Sequence, residues 1–192
     1  MNNYLSDPLV FLVEILFSLY IMTVMLRFLF QLVRADFYNP ISQFIVSLTN
    51  PPLRPLRRII PSVGKIDMSS VVLMLVLQYL SLTLITLISG GYFRPLSLLV
   101  FAITELINLT FNVYIFALII LAIFSWINPG YYQHPLTQIL GQLTNPLMRP
   151  ARKLLPPVSG IDLSPMLVII ALFFFKLLLI PPLHHLAKHI YL

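Results

Sequence analysis

Asn50-Pro51-Pro52-Leu53-Arg54-Pro55-Leu56-Arg57-Arg58-Ile59-Ile60-Pro61 is matched, at a constant offset of 95, by Asn145-Pro146-Leu147-Met148-Arg149-Pro150-Ala151-Arg152-Lys153-Leu154-Leu155-Pro156. The match continues without a gap through Ile66-Asp67-Met68-Ser69 and Ile161-Asp162-Leu163-Ser164. Upstream, an offset of 94 pairs Tyr20 with Tyr114, Glu14 with Asn108 and Ser18 with Asn112. A long apolar run precedes each copy and another follows it, so each half reads as a helix, a loop and a second helix.

The apolar runs decide the class. Of 192 residues, 59% are hydrophobic and 9% charged, with a mean hydropathy of +0.94. Soluble domains carry about 25% charge and disordered chains few apolar residues, so both classes are excluded. The absence of cysteine removes disulfides, thiol chemistry and Cys-based metal sites. A span needs about 20 mostly apolar residues. Four are expected, at about 8–33, 68–89, 96–127 and 163–180.

The first span is interrupted by Glu14, Arg27 and Gln31, and the second ends at Gly90-Gly91. The third stops at Asn128-Pro129-Gly130 and is long enough that it must tilt or begin outside the hydrocarbon. The fourth is expected to close at Pro181-Pro182, with Lys176 one turn earlier lifting its ammonium to the interface. Met1 to Pro8 lack the basic stretch of a cleavable signal, so the first run is expected to stay as an anchor. The expected fold is an all-α membrane protein with four transmembrane helices. These form two tandem, parallel helix–amphipathic loop–helix repeats, 1–95 and 96–192, related by a pseudo-twofold along the membrane normal.

Orientation follows from the basic residues of the short loops. Arg34, Arg54, Arg57, Arg58 and Lys65 lie in one long loop and Arg149, Arg152 and Lys153 in the other, against only Arg94 and Lys188 on the opposite side. This places both long loops in the cytoplasm and both termini outside, in the cell (inner) membrane. The pI near 9.8 thus reflects topology, and no nucleic-acid motif or nucleic-acid partner is implied.

Each long loop carries an apolar stripe at i, i+3, i+4, i+7: Ile41, Phe44, Ile45 and Leu48, then Leu136, Ile139, Leu140 and Leu143. Asn39 and His134 precede a proline at the first helical position. These short helices are expected along the inner interface, with the Asn-Pro pairs breaking each into a second half-helix. That half-helix carries Arg54, Arg57 and Arg58, or Arg149, Arg152 and Lys153. The six cations are read either as topology anchors alone, as contacts to anionic lipid headgroups at about 1 kcal/mol each, or as contacts to an acidic protein partner.

Asp67 and Asp162 stand at equivalent places at the start of a span. Paired carboxylates suggest an intramembrane aspartyl protease, but their position favours helix capping, with an ion pair to a loop arginine. Glu14 and Ser18 form one intramembrane polar stripe, and Glu105, Asn108 and Asn112 a longer one. Charged groups in a span point to function by default. The stripes either share a proton or line a cavity at the pseudo-twofold, or they act as interhelical hydrogen-bond glue. Arg27, Gln31 and Arg34 are expected to snorkel or to pair with Asp36 or Asp67. His184, His185 and His189 read as a wet terminal helix rather than a metal site. No P-loop, dinucleotide fingerprint or nucleophile elbow occurs, so no cofactor, metal or enzymatic activity is expected.

At these residues the sequence resembles the YggT family of integral membrane proteins, which includes YlmG relatives in cyanobacteria and chloroplasts. The resemblance rests on the doubled Asn-Pro-x-x-Arg-Pro-x-Arg-(Arg/Lys)-x-x-Pro, on Ile-Asp-(Met/Leu)-Ser, on Phe37-Tyr38-Asn39-Pro40 and on Phe124-Ser125-Trp126. It covers nearly the whole chain apart from Pro181 to Leu192. It implies association with membrane-stress or osmotic tolerance, with cell or organelle division, or with cytochrome maturation in plastids, and no enzymatic activity. The expected function is a non-enzymatic membrane scaffold or assembly factor that contacts the bilayer, a membrane protein partner or a second copy. The alternative is a small proton or osmolyte channel or transporter that uses Glu14 and Glu105.

Overall fold

The computed structural model describes residues 6–127, 134–154 and 162–190. The Asn128-Pro129-Gly130 break, Leu155-Pro156 and Ile161 of the repeat, and Met1 to Leu5 lie outside the described residues. Among those described there are six helices and no strands: α1 Ser6–Val33, α2 Pro40–Ile59, α3 Met68–Ile88, α4 Pro95–Ile127, α5 Pro135–Leu154 and α6 Ser164–His189. Val63 and Ile66 form one isolated bridge in the turn after α2.

Four of the helices, α1, α3, α4 and α6, are long and apolar enough to cross a membrane. Within hydrocarbon only a helix or a closed barrel satisfies every backbone N–H and C=O, which is why uninterrupted Leu, Ile, Val and Phe favour helix here. Only 11–33% of each apolar window is buried by the rest of the chain. Ile170, Phe174, Leu177 and Leu178 on α6, like Phe11, Leu12 and Leu16 on α1, face outward and need lipid to cover them. α1 packs most extensively with α3, and α4 with α6. α3 meets α4, and α5 also touches α1 and α2, so the two halves interlock. The main core gathers Val24 and Leu29 of α1, Ile45 and Leu53 of α2, Met74 of α3, Leu121 of α4 and Leu143 of α5.

The helix ends follow local rules. α1 stops where Arg34 adopts φ 55 and Ala35 N–H returns to Phe30 O at 2.8 Å, a Schellman turn with arginine in the position glycine usually takes. α3 ends the same way at Gly90, φ 70, with Gly91 N–H donating to Thr86 O at 2.9 Å. Asn39 caps α2, its Oδ1 accepting from Ile41 N–H at 2.9 Å, and His134 Nδ1 accepts from Leu136 N–H at 3.2 Å ahead of α5.

Two expectations about proline are corrected. The Asn-Pro pairs do not split the loops into two pieces each, because α2 runs unbroken through Pro51, Pro52 and Pro55 and α5 through Pro146 and Pro150. A proline removes one backbone bond and pushes on one carbonyl, and a helix bends through that when other groups take up what is freed. Here Tyr20 Oη donates to Leu48 O at 3.3 Å, the carbonyl that Pro52 leaves without its i+4 donor.

Nor does the fourth span close at Pro181-Pro182. α6 continues to His189, held against α4 by Ser97 Oγ donating to Ala187 O at 2.7 Å. Lys176 is therefore mid-helix, and its Nζ turns inward to Asn112 Oδ1 at 2.5 Å instead of rising to an interface.

Candidate functional site

Three polar constellations stand out, and each is built where two or more helices meet. The first joins α2 to α3 and α5 to α6. Arg57 of α2 forms an ion pair with Asp67, the N-cap residue of α3. The Asp67 carboxylate also accepts from Ser70 Oγ at 2.8 Å. Its side chain is 3% exposed. Burial alone would raise the Asp67 pKa, but the Arg57 guanidinium and the Ser70 donors outweigh it and hold the carboxyl below the ordinary range.

Ten residues separate the partners in the second half too, where Arg152 Nε reaches Asp162 Oδ2 at 3.0 Å. Asp162 Oδ1 accepts from Ser164 N–H at 2.9 Å. The N-cap residue proper is Leu163, one residue later than in the first half. Burial again raises and the Ser164 and Arg152 contacts lower, leaving the Asp162 carboxyl below the ordinary range. Arg57 thus clamps α2 to the start of α3, and Arg152 clamps α5 to the start of α6. Arg54, Arg58, Arg149 and Lys153 are exposed, and none forms an ion pair among the described residues.

The second constellation is a cleft of about 340 Å³ between α1, α3 and α4, lined by Glu14, Ser18, Gln78, Ser81, Glu105, Asn108 and Asn112. α6 closes one side chemically. His184 Nε2 lies 3.0 Å from Glu105 Oε1, and Asn108 Nδ2 donates to Glu105 Oε2 at 3.1 Å. Glu105 is therefore held from two helices, while Glu14 makes no hydrogen bond or ion pair to a described residue. Gln78, Ser81, His184 and Lys176 were not singled out as parts of this site from the sequence. The signal for Gln78 was available, since it is a lone amide in an otherwise apolar span. His185 and His189 stack at 4.1 Å, and no metal-binding group of His, Asp and Glu occurs among the described residues.

The third is the polar edge of α1. Arg27 is buried, at 7% exposure, and pairs with neither Asp36 nor Asp67, which corrects the expectation of snorkelling or an ion pair. Its Nη1 donates to Thr49 Oγ1 at 2.7 Å, Asn50 Oδ1 at 2.9 Å and Val46 O at 3.3 Å. Val46, Thr49 and Asn50 of α2 supply these acceptors, and no sequence pattern links residues 22 or 23 positions apart. Gln31 Oε1 accepts from Arg57 at 3.3 Å. Between the α1–α2 connection and α5, Asn39 Nδ2 donates to Pro135 O at 2.8 Å and Asp36 N–H to Gln142 Oε1 at 2.7 Å.

A family model described as CCB3/YggT matches residues 6–88 and 100–183. The uncharacterized protein PA0392 of Pseudomonas aeruginosa is 45% identical over 179 residues, covering 92% of this chain and 90% of that protein. An uncharacterized protein of the proC 3′ region of Vibrio alginolyticus is 42% identical over 88% of this chain and 91% of its own length. The uncharacterized protein YggT of Escherichia coli K12 is 36% identical over 87% and 86%. No solved structure matches the chain.

Proposed function

The chain belongs to the CCB3/YggT family, and on that premise we propose that it is a non-enzymatic scaffold or assembly factor of the inner membrane, built from two parallel tandem units, 1–95 and 96–192. Both termini lie outside, and the helices α2 and α5 face the cytoplasm, where they engage anionic headgroups or a membrane partner. One observation carries this reading. Arg54, Arg58, Arg149 and Lys153 are exposed on α2 and α5 and form no ion pair among the described residues, while Arg57 and Arg152, exposed as well, are paired with Asp67 and Asp162. Exposed Phe44, Leu48, Ile59 and Leu154 on the same helices give them an apolar face for a membrane surface. Each cation near an anionic leaflet contributes about 1 kcal/mol.

The cleft around Glu105 is read as packing between helices rather than a conduit. Its carboxylate and Asn112 are tied to α6 by His184 and Lys176, as interhelical glue requires.

The test is lipid retention by the purified full-length protein, read by native mass spectrometry. Changing Arg54, Arg58, Arg149 and Lys153 together to Gln is expected to lower retained phosphatidylglycerol or cardiolipin by about threefold or more. Equal retention sinks the lipid reading. If equal retention accompanies lost crosslinks in native membranes, a protein partner takes the place of lipid.

A further inference from the structure

The Arg27 pin has no counterpart in the second half, although its acceptors do. Ninety-four residues after Arg27 stands Leu121, and 95 after Val46 stands Gly141, while Thr144 and Asn145 repeat Thr49 and Asn50. Where the first half holds a guanidinium, the second has a cleft of about 320 Å³ lined by Leu121, Gly141, Thr144, Asn145, Arg152 and Asp162 among others. Thr144 is buried at 1% exposure, and its hydroxyl donates to Leu140 O at 2.9 Å, as that of Thr49 donates to Ile45 O at 2.7 Å. In Thr49 the oxygen then accepts from Arg27. In Thr144 no described residue fills that role, and the Asn145 side chain makes no hydrogen bond to a described residue.

Gly141 widens the same space. Nothing lies within 4 Å of where its Cβ would stand, so no close packing explains a glycine that costs a helix interior about 1 kcal/mol against alanine. The charge balance also repeats, because Arg27 sits beside the Arg57–Asp67 pair and the cleft lies against Arg152–Asp162.

We propose that this cleft binds a guanidinium group from outside the chain, seated on Thr144, Asn145 and the Gly141 carbonyl as Arg27 is seated on Thr49, Asn50 and Val46. The proposal rests on the two halves being equivalent units. Residues 128–133 and 155–161 contain no Arg or Lys, so neither segment supplies the cation. The guanidinium belongs either to a free small molecule or to an arginine of a partner, and both present the same fork of donors.

The experiment measures binding of N-acetyl-arginine methylamide to the purified full chain in detergent, beside its neutral citrulline isostere. Wild type is expected to prefer the arginine compound by about tenfold. Gly141→Val, which fills the cleft, and Leu121→Arg, which supplies an internal guanidinium, are each expected to abolish that preference. A folded wild type that binds neither compound, or binds both alike, overturns the site. Equal binding by wild type and Gly141→Val overturns it too. Thermal stability of Leu121→Arg reads the premise separately: a melting temperature at or above wild type supports equivalent halves. A sharp fall, with Gly141→Val still blocking binding, leaves the site standing and removes the equivalence. Free arginine binding more tightly than the blocked compound identifies a small-molecule ligand, and the reverse order identifies a partner's side chain.

Discussion

Tyr20 Oη donates to the carbonyl of Leu48, 3.3 Å away and 28 residues later, and so satisfies the acceptor that Pro52 abandons inside α2. Proline and tyrosine thus form a matched pair across two helices. Tyr20→Phe keeps the ring and removes only the donor, so it is expected to lower stability by about 1 kcal/mol. Thermal unfolding in detergent reads the change, and an unaltered melting temperature would show that lipid or water serves that carbonyl instead.

The Asp67 and Asp162 clamps make stability depend on pH in a known direction. Both carboxyls titrate lower in the folded chain than their ordinary value. Their contribution is therefore complete above the unfolded value of about 4 and is lost as pH falls through the lower folded one. Asp67→Asn is expected to cost about 2 kcal/mol and the more exposed Asp162→Asn about 1 kcal/mol, with each variant flattening the acid limb of a melting-temperature profile. A wild-type profile that rises on acidification contradicts the sign.

Glu14 and Glu105 are expected to respond oppositely to the same chemical change. Glu105→Gln replaces the carboxylate that His184 and Asn108 hold with an amide, weakening both contacts, and should destabilise by about 1 kcal/mol. Glu14 has no described partner, so Glu14→Gln breaks no described hydrogen bond or ion pair and should leave stability equal or raise it. If both variants fold yet abolish proton or osmolyte flux in proteoliposomes, the cleft is a conduit and the packing reading fails.

Because the chain has no cysteine, sidedness is open to a clean test. Ser62→Cys, in the turn after α2, is expected to resist an impermeant maleimide in intact cells, and Tyr92→Cys, in the turn between α3 and α4, to react. The opposite pattern inverts the topology.

Much of the fold was legible because lipid imposes one rule on the backbone. Runs of about 20 apolar residues must be helices; three of the four lie close to their expected bounds, and α6 begins where expected but runs nine residues past its expected end at 180. The Gly90 stop was readable since only glycine takes a left-handed cap without strain. The prolines misled. At Pro51, Pro52, Pro181 and Pro182 a local rule predicts a break, whereas bonds from residues tens of positions away, Tyr20 to Leu48 and Ser97 to Ala187, hold those helices in place.

The sequence by itself determined the number of long apolar helices, the family, the existence of a further helix after the first and third of them, and the position of each polar residue along its helix. Those features depend on neighbours three or four residues apart or on a repeat at fixed offset. Only the tertiary structure decided that Arg57 and Arg152 are clamps and that Arg54 and Arg58 form no ion pair among the described residues. It also decided that Glu105 is held by α6 and that Arg27 is buried against Thr49, Asn50 and Val46. Such pairings depend on how helices far apart in the chain are rotated against one another, and lipid constrains that rotation too weakly for a pattern in one segment to reveal it.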